Sequence, residues 1–301
     1  MCGLIGFTGK EGVYANPDII RKLMKANDKR GGHSTGFWNG NHFQKVIGKS
    51  KNLQLNNTLK APMFIGHTRY ATHGTINKKN QHPFKYGEVV GAHNGVVHNY
   101  REVGEKFGLK KTEVDSQMIF KVMNKTQHKF ETLGKFSGAL ATLFSLGDDK
   151  FYTYRKTNPL WVGRDKNGGV YFSSLRDVMV KECKLTNVFQ LKEGRLYIWK
   201  DGNVISKIDI EHDPIESKYG SVKKQWWEYR QPKITRLWTP QKSLHSGITD
   251  QYDDIDDIDI TDYDLTDNQD QLDLFLPAGG EDATRCECQD NSADLCWCYT
   301  K

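Results

Sequence analysis

The sequence has 301 residues, of which 37% are hydrophobic, and a formal net charge of +6. This length can bury a sizeable core, but no run approaches the roughly 18 apolar residues of a membrane span. No signal-peptide pattern precedes Lys10, and the six cysteines are either far apart or crowded near the end. We therefore expect no disulfide framework, no membrane association and a cytoplasmic protein.

In chain order, the first 212 residues alternate short apolar runs with turn residues. The apolar runs predict strands at 2–7, 64–70, 89–93, 139–146, 151–155, 170–173 and 196–199. A helix is predicted at 17–27, because Asn16 suits the N-cap and Pro17 the first helical position. A second helix is predicted at 114–123, where apolar residues recur at helical spacing. Many strands and few helices indicate a layered α+β domain.

The charge changes sign along the chain. Residues 1–212 carry 34 Lys and Arg against 18 Asp and Glu, whereas residues 213–301 carry 9 against 19. Between 250 and 273 there are eleven aspartates and no Lys or Arg, a composition that predicts disorder. We predict a folded domain at 2–212, a basic and aromatic extension at 213–249, an acidic disordered segment at 250–284 and a cysteine-rich end at 285–301.

Cys2 is the first candidate catalytic residue. The small residue after the initiator methionine permits removal of Met1, which would leave a thiol and a free α-amine on Cys2. The amine, with a pKa of about 7.7–8.0, can take the thiol proton and later return it to a leaving group. The alternative is that Cys2 merely begins a buried strand.

Arg69 ends a predicted strand within the run GHTRYATHG at 66–74. Its guanidinium offers a planar fork of donors that suits a substrate carboxylate, and a glycine-terminated loop follows. The alternative is a surface arginine in a salt bridge.

Two further candidates lie at 93–95 (His-Asn-Gly) and at Asp115. The Asn94 side-chain amide and the Gly95 N–H, at the end of an apolar strand, can form an oxyanion hole, in which one donor is worth about 10²–10³ in rate. Asn-Gly after a strand is otherwise typical of a turn. Asp115 opens a helix, where it either complements the helix dipole or binds a substrate ammonium.

Four segments, MCGLIGF, GHTRYATHG with QHPF, HNGVVHNYREV and TEVDSQ, occur in the order and spacing of the class II glutamine amidotransferases. The chain most resembles the glutaminase half of the glutamine:fructose-6-phosphate amidotransferases, with weaker similarity to about residue 207. The resemblance implies an N-terminal-nucleophile hydrolase fold, a four-layer αββα sandwich.

The resemblance also implies a role for each candidate residue. Cys2 corresponds to the nucleophile, with Asn94 and Gly95 as the oxyanion hole. Arg69 corresponds to the ligand of the glutamine α-carboxylate, and Asp115 to the ligand of its α-ammonium. Thr72, His73 and Gly74 belong to the loop that covers the substrate. The implied reaction passes through a thioester, releases ammonia and requires no cofactor.

The chain departs from the family pattern in three places. His33, in the run RGGHSTG, stands where the family usually has Asp, and Tyr70 stands where the synthase has Trp. No sugar-isomerase, phosphoribosyltransferase or ATP-pyrophosphatase domain follows, so we expect the ammonia to reach a separate synthase partner.

The C-terminal cysteines and the basic body admit other partners. Four thiolates could bind zinc, but their C-x-C pairs are unusually tight, so unmetallated thiols are favoured; they are Cys286, Cys288, Cys296 and Cys298. The basic body permits nucleic-acid binding, but the lysines are scattered and a solvated basic face is favoured.

The leading hypothesis is thus a glutamine amidotransferase that hydrolyses L-glutamine for a separate ammonia-accepting protein. A second hypothesis keeps the fold and the nucleophile but assigns another amide substrate. A third is a non-catalytic binding module, which retention of Met1 would support because it removes the proposed base.

Overall fold

A computed structural model describes residues 1–55 and 61–212. The strands are β1 (Gly3–Thr8), β2 (Ser34–Trp38), β3 (Phe43–Ile47), β4 (Met63–Arg69), β5 (Phe84–Tyr86), β6 (Val89–Val97), β7 (Gly138–Ser145), β8 (Phe151–Arg155), β9 (Trp161–Arg164), β10 (Val170–Ser173), β11 (Thr186–Gln190), β12 (Arg195–Lys200) and β13 (Asn203–Asp209). The helices are α1 (Pro17–Asn27), α2 (Tyr100–Lys106) and α3 (Asp115–Lys125), with short helical turns at Ser50–Asn52, Phe130–Lys135 and Val178–Glu182.

These strands form two antiparallel sheets. The first has seven strands in the order β11-β9-β10-β1-β4-β2-β3, and the second has six in the order β13-β12-β8-β7-β6-β5. β1 lies in the middle of the first sheet, where Ile5 is opposite Gly66 of β4 and Ser173 of β10. The residue that precedes β1, Cys2, is therefore held at the centre of a sheet rather than at an edge.

Apolar side chains from both faces of each sheet build three cores. The central core joins the two sheets, with Leu4 and Phe172 from the first and Leu143 and Trp199 from the second. On the outer face of the first sheet lies α1, whose residues Ile20, Leu23 and Met24 share a core with Phe7 and Phe64. Burying each such side chain contributes about 1.5–3 kcal/mol.

The outer face of the second sheet is covered by α2 and α3. Met118 and Phe120 of α3 share a core with Val103 of α2 and with Phe144 and Tyr154 of the sheet. Helices thus cover the two outer faces, and the sheets pack on each other between them.

Every predicted strand and helix is present, with ends that differ by a few residues. For α1 both predicted ends are confirmed, since the helix runs from Pro17 to Asn27. At its beginning the Asn16 side chain accepts a hydrogen bond from the Asp18 N–H at 2.9 Å, as expected of an N-cap residue. Six strands and α2 were not predicted. The regions predicted at 213–249, 250–284 and 285–301 lie outside the described residues. Within the described part, no helix is both long and apolar enough to cross a membrane.

The prediction that Asn94 and Gly95 lie at the end of a strand is wrong. β6 continues through both residues to Val97, and its residues Val90–Val97 pair with β7. The turn alternative is also wrong, since the two residues are opposite Ala141 and Leu140 in the ladder. The strand continues because Gly95 adopts a φ of +149°, which accommodates the close approach of β7.

Candidate active site

Cys2 is fixed by contacts with both sheets. Its backbone nitrogen donates to the Asn94 Oδ1 of β6 at 3.1 Å. Its Sγ lies 3.3 Å from the Tyr70 N and 3.5 Å from the Tyr70 O, just after β4 ends. Only 9% of the residue is exposed. Cys2 therefore sits at a junction of β1, the end of β4 and β6.

The side-chain amide of Asn94 has one acceptor, which faces Cys2, and one donor group, which is buried. The side chain is fully buried, and its Oδ1 faces the Cys2 nitrogen. Its Nδ2 is also buried but has no hydrogen-bond partner among the described residues. The Asn94 backbone carbonyl accepts from the Asn158 Nδ2 at 2.9 Å, which fixes the backbone beside it. A buried donor without a partner lowers the stability of the fold. The Nδ2 group is therefore suited to donate a hydrogen bond to a group that enters the site.

Gly95 is required by its surroundings. A Cβ at this position would collide with the Ala139 carbonyl and approach His93 Nε2 to 2.7 Å. Its φ of +149° is also rarely adopted by other residues. Gly95 therefore keeps the backbone of β6 close to β7 immediately after Asn94.

The Cys2 thiol is held in its neutral form. Burial raises the pKa of this thiol, against the smaller lowering effects of the Tyr70 N–H, the chain's N-terminal charge and the Arg69 guanidinium. A thiol with a raised pKa is a weak nucleophile at neutral pH unless a base removes its proton during attack. The site therefore needs a base within reach of Sγ.

Arg69 is buried, with 2% of the residue exposed, and it does not form a surface salt bridge. Its Nη1 donates to the Thr75 carbonyl at 3.0 Å, and its Nη2 donates to the carbonyls of His73 and Gly74. Burial lowers the pKa of the guanidinium, and the nearby carboxylates of Asp115 and Glu113 oppose this shift. Through these hydrogen bonds the Arg69 side chain holds residues 70–75, here called the 70–75 loop, in place.

The 70–75 loop contains the other predicted substrate-binding residues. Thr72 and Gly74 are exposed, whereas His73 is half-buried with a buried Nδ1 that has no partner among the described residues. Gly74 has a φ of +74° and packs near Val114 at the start of α3. The Thr75 N–H and hydroxyl both donate to Glu113 at 2.8 Å.

Asp115 is the first residue of α3, as predicted, and 2% of it is exposed. Its Oδ2 accepts from the Val97 N–H of β6 at 2.8 Å. Its Oδ1 lies 3.4 Å from the Ser116 hydroxyl. An ionised carboxylate has about four acceptor positions, so Asp115 can bind an ammonium group in addition to these donors.

Three contacts to the site were not predicted from the sequence. The Arg30 Nε donates to the Cys2 carbonyl at 3.0 Å, Asn158 supports Asn94, and the His33 Nδ1 accepts from the Ala71 N–H at 3.1 Å. Arg30 and His33 occur together in the run RGGHSTG, which was noted from the sequence because of His33. Asn158 lies in a loop sequence without a distinctive motif.

Three histidines are buried behind the site. His67 Nε2 is bonded to the His93 carbonyl at 3.0 Å, and the rings of His67 and His82 lie 3.9 Å apart. Burial lowers the pKa of His67 to about 3 and also lowers the pKa values of His82 and His93. These rings are therefore neutral at physiological pH and place no charge beside Cys2.

A surface cavity of about 510 Å³ lies against α1 and the turn at Ser50–Asn52, and its lining includes Met24, Leu53 and Leu55. None of the predicted site residues lines it. Within residues 1–55 and 61–212, no group of three or more His, Cys, Asp or Glu is placed to hold a metal ion. The four C-terminal cysteines predicted as a zinc option lie outside the described residues.

Comparison with known proteins identifies the family of this domain. A family model described as "Glutamine amidotransferases class-II" matches residues 41–152, which contain every predicted site residue of the described part except Cys2. The chain contains a class II glutamine amidotransferase domain. Members of this family are enzymes with an N-terminal cysteine nucleophile.

The relatives of the amidotransferase domain include two glutamine–fructose-6-phosphate aminotransferases. The protein from Campylobacter jejuni is 31% identical over 234 residues, which cover 70% of this chain and 38% of the relative. The protein from Thermococcus kodakarensis is 32% identical over 238 residues, which cover 69% of this chain and 38% of the relative. The chain thus spans less than two fifths of the length of these curated relatives.

Two solved structures share the fold. The glutamine phosphoribosylpyrophosphate amidotransferase of B. subtilis superposes with a TM-score of 0.55 at 18% identity, over 70% of this chain and 50% of that one. A structure described as the allosteric regulatory enzyme of purine biosynthesis gives 0.57 at 19% identity with the same coverage. The two antiparallel sheets with few helices are thus the fold of these amidotransferases.

Proposed function

We propose that the amidotransferase domain hydrolyses the side-chain amide of L-glutamine through a Cys2 thioester and passes ammonia to a separate synthase. In this proposal Met1 is removed, and the domain is a four-layer αββα N-terminal-nucleophile hydrolase. Met1 is 69% exposed, so it is accessible to an aminopeptidase.

The observation that carries the proposal is the pairing of Cys2 with Asn94. One amide head group accepts from the Cys2 nitrogen at 3.1 Å and keeps a buried N–H₂ without a partner in the described chain. The nitrogen that becomes the α-amine is therefore fixed next to a donor that suits a developing negative oxygen. A structural asparagine would be expected to use both ends of its amide.

The proposed reaction begins when the α-amine of Cys2 takes the thiol proton and Sγ attacks the side-chain carbonyl carbon of glutamine. The C–O double bond opens, and the resulting oxyanion accepts from Asn94 Nδ2 and the Gly95 N–H. When the carbonyl re-forms, the C–N bond breaks, and the ammonium of Cys2 protonates the departing nitrogen, which leaves as ammonia. Water then attacks the thioester, glutamate departs, and the thiol is restored.

Glutamine recognition is proposed for Arg69 and Asp115. Asp115 has a buried carboxylate with acceptor positions available for the α-ammonium. Arg69 already gives both Nη groups to the 70–75 loop, so we propose that it binds the α-carboxylate with its remaining N–H groups while it supports Thr72, His73 and Gly74 above the substrate.

The decisive experiment compares two forms of the full chain that differ only at the N-terminus. One carries a protease-removable extension that leaves Cys2 first, and the other carries an extension that cannot be removed. Glutamate release from glutamine is expected only from the first form, because an amide nitrogen cannot act as the base. Equal activity of the two forms would exclude the α-amine mechanism.

The same assay separates the remaining hypotheses. If the freed form shows no glutamate release with or without cell extract while its fold is intact, the non-catalytic hypothesis is favoured. If it cleaves other amides more rapidly than glutamine, the alternative amide substrate is favoured.

A further inference from the structure

We propose that His33 is a positioning residue that orients the Tyr70–Ala71 peptide group against the Cys2 thiol. This inference rests on the proposed glutaminase function, and it concerns the part of the site that faces Sγ. Neither the nucleophile nor the oxyanion hole includes His33.

The backbone of His33 is held by two hydrogen bonds. It directly precedes β2, its N–H donates to the Arg69 carbonyl at 3.1 Å, and its carbonyl accepts from the Gly48 N–H at 2.9 Å. These two bonds fix the backbone of His33 against the end of β4 and the residue that follows β3. The imidazole therefore projects from a backbone that is held in place.

The imidazole makes two contacts with the beginning of the 70–75 loop. Its Nδ1 accepts from the Ala71 N–H at 3.1 Å. Its ring stacks on the Tyr70 ring, with centroids 4.7 Å apart and an interplanar angle of 27°. An acceptor at Nδ1 requires a lone pair there, so His33 holds this loop as a neutral ring with its proton on Nε2.

The Ala71 N–H and the Tyr70 C=O belong to the same peptide group, which is planar and rigid. The N–H side of that plane is bonded to His33, and the C=O side accepts from the Cys2 thiol at 3.5 Å. Rotation of the plane would break both contacts together. His33 thus determines where the Tyr70 carbonyl points, and with it the direction of the Cys2 S–H bond.

The neighbouring peptide group completes the thiol's surroundings. The Tyr70 N–H approaches Sγ at 3.3 Å and lowers the pKa of the thiol against the larger effect of burial. Displacement of residues 70 and 71 would therefore alter both the orientation of Sγ and its stabilisation as a thiolate. We expect this to change kcat more than the KM for glutamine.

Two substitutions separate the acceptor from the ring. His33→Asn keeps an acceptor atom at the same position along the side chain and loses the ring, whereas His33→Phe keeps the ring and loses the acceptor. His42→Phe is the matched control, since His42 is exposed and its ring lies against Phe37 away from Cys2. All three are made in the full chain freed to begin at Cys2.

The expected result is a kcat for His33→Phe lower by roughly fivefold to tenfold, the typical net effect of losing one hydrogen bond, with KM changed less than twofold. His33→Asn is expected to stay within about threefold of the wild type, and His42→Phe to match it. Tm values and circular dichroism establish that each variant is folded.

Alkylation of Cys2 by iodoacetamide, followed at peptide level by mass spectrometry, gives a readout that does not depend on turnover. His33→Phe and His33→Asn are expected to differ in alkylation rate by at least about threefold, because displacement of residues 70 and 71 changes both the access to Sγ and its stabilisation as a thiolate. If the phenylalanine and asparagine variants match the active wild type in kcat and in alkylation, the inference is overturned. An inactive wild type would overturn the proposed function instead, and the alkylation comparison would still decide the role of His33.

Discussion

The two sides of the candidate site are built in different ways. Cys2 and Asn94 are buried and belong to, or directly precede, strands that are paired on both sides. Thr72 and Gly74 are exposed, and their loop is held mainly by side chains, through Arg69 below and Glu113 beside it. Under the proposed function, the chemistry thus depends on the sheets, whereas substrate recognition depends on a few polar contacts. Substitutions of Cys2 and Asn94 should therefore affect kcat, and substitutions of the proposed substrate-binding residues 72–74 and Asp115 should affect KM.

The largest effect is expected from Cys2 itself. Cys2→Ala in the full chain should reduce glutamate release by at least about 10⁴-fold, as loss of a nucleophile does in other enzymes. The Tm should change little, because the residue is small and lies before β1. Glutamate release that survives this substitution would show that another group is the nucleophile.

The next largest effect is expected from Asn94→Asp, which keeps an acceptor for the Cys2 nitrogen but removes the Nδ2 donor. Loss of one oxyanion donor should lower kcat by about 10²–10³-fold with little change in KM. Asn39→Asp is the matched control: Asn39 is also buried, and its Oδ1 accepts from the N–H groups of Asn41 and His42. Equal kcat values for the two variants would contradict the oxyanion role.

The recognition side is tested by Asp115→Asn, which retains an acceptor for the Val97 N–H and removes the charge. The KM for glutamine should rise by about 10–100-fold, the usual loss for a hydrogen bond to a charged group, and kcat should fall much less. Asp165→Asn serves as a control, because Asp165 caps a distant turn by accepting from Asn167 and Gly169. A fall in kcat at constant KM would place Asp115 on the chemical side of the comparison.

A smaller effect is expected from the buried histidines behind the site. A histidine whose folded-state pKa is lowered stabilises the fold above its unfolded pKa of about 6.5, and this contribution is lost as the pH falls toward the folded value, which is about 3 for His67. His82 has both ring nitrogens buried without partners in the described residues. His82→Phe should therefore reduce the loss of stability below pH 6.5 by up to about 1.4 kcal/mol per pH unit.

Urea unfolding at pH 7.5, 6 and 5 measures this difference directly. The two proteins should diverge as the pH falls, with the variant the more stable at pH 5. Parallel curves for variant and wild type would mean that His82 does not remain neutral in the folded state.

The sequence predicted seven of the nine interior strands of the two sheets, missing β2 and β9, and none of the strands at the sheet edges. The four strands at the sheet edges, β3, β5, β11 and β13, were all missed. Edge strands have one unpaired side and carry polar or exposed residues, as in Thr186–Gln190. They therefore lack the apolar runs that identify β1 or β8 from the sequence.

The site shows a similar division. Side chains in distinctive motifs, such as Cys2, Arg69 and Asp115, were identified as candidates. The environment of Asn94 was misjudged, because Asn-Gly is a common turn signal and only the close approach of Ala139 explains why the strand continues. His33 and Asn158 contact residues more than thirty positions away. The sequence singled out His33 as a departure from a motif, but it did not indicate the partner of either residue.

The central position of β1 bears on the order of events during synthesis. Residues 2–8 emerge from the ribosome well before one neighbour of this strand, β10, which ends at Ser173. At a translation rate of about 5–20 residues per second, β1 waits roughly 10–30 seconds before its second neighbour exists. During that interval the segment around Cys2 is not yet enclosed by the sheet, so the proposed removal of Met1 can finish before β10 pairs with β1.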